Sequence, residues 1–285
     1  MQLFAIILAV SLERSLAVGK HWTWRRMLLR WQQIQLHKTE LQDWKQNGLG
    51  QLVWALIPAF LIGLVLALFD NMLLSFLAST GLLLVAMVCT PARKRYKEYV
   101  ELCRQLDETE LSKKERTALL HERELAAERL IRSAGHRDID SVQQALLWIH
   151  LRAYFAVLLY FILFGIVGAL VYATLRDMRR PKHIPRSTWT RAYYLLNWLP
   201  TRVMSLGFLF VGNFSKASGL WLSTLGNIPP SNRDALFRVA AAADEITVED
   251  PEQHGATALT TVGLVKRNFL LFIVFVSILT IAGWL

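Results

Sequence analysis

Four stretches of this chain contain no Asp, Glu, Lys, Arg or His: Leu52–Phe69, Met72–Cys89, Ala153–Tyr172 and Phe269–Leu285. They run for 18, 18, 20 and 17 residues. At about 1.5 Å of rise per helical residue each spans roughly 25–30 Å, the thickness of a bilayer's hydrocarbon core. The pattern predicts an all-α, polytopic membrane protein with four main spans, joined by short interfacial or re-entrant helices. A soluble enzyme, a disordered chain and a β-barrel, whose strands would alternate over about 10 residues, are all excluded.

The polar positions divide the chain further. Residues 1–50 should hold a short half-inserted helix followed by an interfacial one. Leu3–Val10 is apolar but has no basic segment before it and no A-x-A site after it, so it does not read as a cleaved leader. Trp22, Trp24, Trp31 and Trp44 then alternate with Arg25, Arg26, Arg30 and Lys38, the composition of a helix lying among headgroups. Residues 51–90 form a transmembrane hairpin, since only Asp70 and Asn71 separate its two runs. Residues 91–150 read as a charged helical lobe. Ser112-Lys-Lys-Glu115 is a capping box, Gly135 a stop, Glu128 and Arg132 an i,i+4 pair, and Ser141-x-x-Gln144 a second helix start. Residues 151–173 are the third span, 174–266 a basic and amphipathic connection with a cap at Ser231-x-x-Asp234 and an acidic loop at Glu249–Glu252, and 267–285 the last span.

Charge orients these pieces. Residues 13–50 and 91–150 carry seven and twelve Lys/Arg, whereas the Asp70–Asn71 tip carries none. By the positive-inside rule the tip faces outward and the other two segments face the cytoplasm. One conflict remains. Arg176, Arg179, Arg180, Lys182, Arg186 and Arg191 follow the third run, and a single crossing would carry them outside. Twenty residues suit one crossing and two crossings would need twice as many, so a complete span with a periplasmic basic stretch is expected; a broken re-entrant helix hinged near Gly165 and Gly168 is the alternative.

Net charge is +10, but the basic residues flank apolar helices instead of forming a soluble stripe. They suit anionic headgroups and not nucleic acid. Cys89 and Cys103 are the only cysteines, too few for a disulfide framework or a thiolate metal site. No phosphate-binding G-x-x-x-x-G-K-S/T and no G-x-S-x-G elbow occurs. His121-Glu122-Arg123-Glu124 lacks the second histidine of a zinc motif. No catalytic residue, metal or cofactor is expected. Polar groups beside the apolar runs supply the candidate site: Glu13 and His21, His150 and Arg152, Arg176 and Asp177, Asn197 and Arg202. Such a set, rich in arginine, would suit an anionic ligand at the membrane surface. Headgroup anchoring is the competing reading.

Three stretches resemble the AmpE family of bacterial inner-membrane proteins. They are Glu13-Arg14 with Gly19-Lys20-His21-Trp22, Gln144-Ala-Leu-Leu-Trp148-Ile149 with Arg152-x-Tyr154, and Asn197-Trp198-Leu199-Pro200-x-Arg202. Their order, their spacing and the total length are similar to that family over essentially the whole chain. The resemblance implies a cytoplasmic-membrane protein linked to β-lactamase induction and peptidoglycan recycling, alongside a cytoplasmic anhydromuramyl-amide amidase. More distantly, Gly168-Ala169-x-x-Tyr172 and the Asn-Trp-x-Pro-x-Arg stretch resemble the CobD/CbiB family, which forms an amide bond in cobalamin biosynthesis. Where that family carries carboxylates, this chain has Trp148-Ile149-His150, Ala173-Thr-Leu-Arg-Asp177-Met178 and Tyr193-Tyr194. The resemblance therefore implies a shared fold without the ligase chemistry. A regulatory or sensory protein is the expected class, with a transporter of cell-wall fragments and a cobinamide-type enzyme as the alternatives.

Overall fold

The structure is a computed structural model that describes residues 2–15, 23–34, 43, 48–68, 71–88, 90–108, 112–135, 139–178, 180, 184–226, 232–244 and 256–284. His21, Asp70, Ser231 and the acidic 249–252 loop lie outside the described residues. Among the described residues every element is helical. Helices α1 (Gln2–Ser15), α2 (Trp24–Gln32), α3 (Gly48–Ala67) and α4 (Met72–Met87) are followed by α5 (Thr90–Glu108), α6 (Lys113–Ser133) and α7 (Val142–His150). A π-helical turn, Leu151–Phe155, leads into α8 (Ala156–Asp177). Then come α9 (Arg186–Val211), α10 (Phe214–Gly226), α11 (Asn232–Asp244) and α12 (Ala256–Ile281). Among the described residues three helical stretches are long and apolar enough to cross a membrane, Leu49–Ala67, Val142–Asp177 and Ala256–Ile281; the bent pair Met72–Met87 with Ala92–Asp107 makes a fourth. This is a polytopic helical membrane protein.

The contacts divide into two units: Met1–Val88, Arg152–Pro200 and Val276–Leu285 form one, Cys89–Leu151 and Thr201–Phe275 the other. In the first unit α8 is the centre, packed by α1, α2, α3 and α4. Ala5 and Ala9 of α1 and Ala55 and Ala59 of α3 are buried in this unit, small residues of the kind that let membrane helices approach closely. Leu64 and Val65 of α3 and Leu73 and Leu77 of α4 remain exposed and apolar, as a lipid-facing surface requires.

Two expectations need correction in this unit. Trp24 is not a headgroup anchor. It is 2% exposed, and its indole Nε1 donates to Thr174 Oγ1 of α8 at 3.0 Å. Trp31 likewise stacks on Trp54 of α3 at 4.9 Å. Amphipathic α2 turns its aromatic face onto helices, leaving Arg25 and Arg30 exposed.

The second correction concerns the third apolar run, which is not one straight crossing helix. Phe164 (φ −133°, ψ 15°) and Gly165 (φ 64°, ψ −159°) leave helical geometry, and Gly165 occupies a region essentially reserved for glycine. The chain reverses there. Tyr160 and Tyr172 would lie about 18 Å apart along a straight helix, yet their rings stack at 5.1 Å. Gly168 sits so close to Tyr160 that a Cβ would stand 2.6 Å from the Tyr160 carbonyl oxygen. Residues 151–164 and 165–177 are two short antiparallel arms.

In the second unit α5 and α6 pair through Arg129–Glu98 (3.0 Å) and Arg95 Nη1 donating to the Arg129 carbonyl (2.9 Å). The capping box at Ser112 and Glu115 forms, as do the Ser141 cap and the Glu128–Arg132 pair. α10 packs on α11, and α7 on α6 and α11.

Candidate functional site at the mouth of the broken helix

The reversal at Gly165 brings the far ends of its two arms together. Arg152 and Arg176 are 24 residues apart, about 36 Å on a straight helix. Here each donates to the other's main chain: Arg152 Nη2 to the Arg176 carbonyl at 3.3 Å, Arg176 Nη1 to the Arg152 carbonyl at 3.2 Å. Arg152 stands on the π-helical turn, a local widening that often marks functional positions. Its guanidinium lies over the Tyr193 ring, 5.5 Å from the centroid.

Arg176 is the best-anchored group at this mouth. Its Nε and Nη2 grip both carboxylate oxygens of Asp177 at 2.8 Å, and Nη2 also donates to the Ala86 carbonyl of α4 at 3.0 Å. Both side chains are largely enclosed, at 9% and 15% exposure. A planar fork meets carboxylate and carbonyl acceptors simultaneously, which a lysine ammonium does less well. Glu13, 9% exposed at the end of α1, accepts from the Tyr154 hydroxyl at 3.1 Å.

A second tier lies deeper. The Tyr172 hydroxyl donates to Asn197 Oδ1 at 3.0 Å, and Asn197 Nδ2 donates to the Tyr193 carbonyl at 2.8 Å. Asn197 is 1% exposed, so this amide fixes α9 against the returning arm. Tyr160 helps by donating to the Leu196 carbonyl at 2.9 Å. Burial holds the Tyr193 hydroxyl above the ordinary phenol range, against the pull of Arg152 and Arg176.

The expected site residues thus fall into two sets. Glu13, Arg152, Asp177 and Asn197 belong to the first unit, together with Arg176. His150 and Arg202 belong to the second. His150 Nδ1 is 2.8 Å from the Leu146 carbonyl. Arg202, 4% exposed, donates to the Thr224 carbonyl of α10 at 2.9 Å, while Trp221 Nε1 donates to the Arg202 carbonyl at 3.2 Å. Tyr154, Tyr172 and Tyr193 were not expected as site residues. Their hydroxyls sit in apolar sequence, and the signal available was only that each lies within a few residues of a flagged polar group. Among the described residues no three His, Cys, Asp or Glu side chains gather in a metal-binding group.

Two chemical properties define this mouth: two guanidiniums on the ends of a broken apolar helix, and the Asp177 carboxylate that grips Arg176. Arg180, Arg186 and Arg191 follow on the same segment, all exposed. The whole chain, residues 1–285, matches the family model described as "Regulatory signalling modulator protein AmpE". It is 26% identical to "Protein AmpE" of Shigella flexneri, over 99% of either chain. No solved structure matches it. A polytopic helical protein that agrees with this family from end to end belongs to it: the chain is a member of the AmpE family of regulatory signalling modulators.

Proposed function

We propose that this AmpE-family protein works in the bacterial cytoplasmic membrane as a sensor in β-lactamase induction and peptidoglycan recycling. In this reading an anionic ligand, a carboxylate or phosphate of a cell-wall fragment, engages Arg152 and Arg176. Asp177 and Glu13 position the cluster, and Asn197 holds α9 beside it. A cytoplasmic amidase of muropeptide recycling is the partner such a role implies. The observation that carries the reading is the Arg152–Arg176 juxtaposition, built by a break in an apolar helix. A charge-assisted hydrogen bond from such a group is worth about 1.5–3 kcal/mol, enough to bias a two-state membrane protein measurably.

The test uses purified protein in detergent, with anhydromuropeptide and inorganic phosphate as probes and thermal shift as the readout. Stabilisation by either probe, lost in Arg152→Gln, supports the site. No shift with any anion, together with wild-type β-lactamase induction in cells carrying Arg152→Gln, refutes it.

A further inference from the structure

Each arm of the Gly165 hairpin is too short to cross a bilayer alone. Residues 152–164 and 165–177 would each extend about 20 Å as helix, against a hydrocarbon core of about 30 Å. Their depth is fixed by two neighbours in the same unit. At the mouth, Arg176 donates to Ala86, in the last turn of α4, which ends at Met87. Toward the tip, Gly63 presses on Val167 so closely that a Cβ at Gly63 would collide with it. Gly63 lies one turn from the Ala67 end of α3, from which the chain passes to Met72, the end of α4 opposite to Met87. The side chains agree: Leu163 and Phe164 at the turn are 48% and 66% exposed, whereas the mouth holds Arg152, Arg176 and Asp177.

We propose that residues 151–177 form a re-entrant hairpin that enters and leaves the membrane on one side, the side of the Met87 end of α4. Its apolar tip dips into hydrocarbon and its arginine mouth stays at the surface. Exposed Phe164 and Leu163 then meet lipid, while Val167, two residues past the break, packs against Gly63 of α3. The basic residues from Arg176 to Arg191 no longer violate the positive-inside rule, because they return to the cytoplasmic side. For the ligand reading, access is then from the cytoplasm; the topology itself does not depend on any ligand.

The test is cysteine accessibility in cells with a permeabilised outer membrane, in a chain whose Cys89 and Cys103 are replaced by serine. Single cysteines go to exposed positions: Asn71→Cys at the α3–α4 tip, Asp140→Cys before α7, and Ser187→Cys or Thr188→Cys after the hairpin. A membrane-impermeant maleimide should label Asn71→Cys in intact cells and label the other three only after lysis. Labelling of Ser187→Cys and Thr188→Cys from the side opposite to Asp140→Cys overturns the hairpin in favour of a complete crossing. Denatured samples, labelled in full, confirm that each cysteine is present. Loss of anion binding would leave this pattern unchanged, so the two readings fail separately.

Discussion

Asp177 shows what single residues do at this mouth. It neutralises a guanidinium that is only 9% exposed, and breaking an enclosed ion pair by removing one partner costs about 3–5 kcal/mol. Asp177→Ala should therefore lower stability by about that amount in a reversible unfolding titration of the detergent-solubilised protein, whereas Arg25→Ala, an exposed charge, should change it by less than about 0.5 kcal/mol. Gly165 acts through the backbone. Its φ of 64° with ψ near −159° admits no side chain without strain, so Gly165→Ala should cost about 1–3 kcal/mol in the same titration. Some of these residues were legible in the sequence. Asp177, Asn197 and Arg152 stand out because polar groups beside uncharged runs are costly and rarely idle. Trp24 was misread because its composition suits both a headgroup and a helix interface; only the partner, Thr174, decides between them. Tyr172 and Tyr193 lie in stretches that carry the distant resemblance or depart from it, but an aromatic ring in apolar sequence declares nothing about where its hydroxyl points.

Helix boundaries were the most readable elements, because caps are local. Ser112 with Glu115 and Ser141 with Gln144 close the bonds their spacing implies, and Asn71 adds a cap on α4 through Leu73 and Leu74. The Ser112 cap carries a pH dependence. Hydrogen bonds from Ser112 to Glu115 hold its carboxyl below the ordinary glutamate range. A depressed folded-state pKa contributes stability that is present above the unfolded value and lost as pH falls through the folded one. Amide exchange in the first turn of α6 should therefore quicken as pH falls below the ordinary glutamate range, after correction for intrinsic rates, and Glu115→Gln should flatten that response. The broken helix was not settled by sequence. Twenty uncharged residues satisfy one crossing or two half-length arms equally, and hydropathy does not record direction. The glycine at 165 was visible, but its positive φ was not.

At the scale of the whole molecule, sequence and structure meet in the distribution of charge. Lys and Arg cluster at 13–50, 91–150 and 176–191, and the proposed re-entrant hairpin would put all three on the cytoplasmic side. The family match over residues 1–285 fits a membrane regulator, and the polar mouth supplies a place where such a regulator could register an anion. The account stands on the reversal at Gly165, because without it Arg152 and Arg176 lie about 36 Å apart on one helix and no shared site exists. Nitroxide labels at Tyr154→Cys and Leu175→Cys, in the cysteine-free background and in lipid nanodiscs, measure it directly. The hairpin predicts strong dipolar broadening, from labels within about 20 Å of each other. A separation near 30 Å, the length of 21 residues of straight helix, would contradict it.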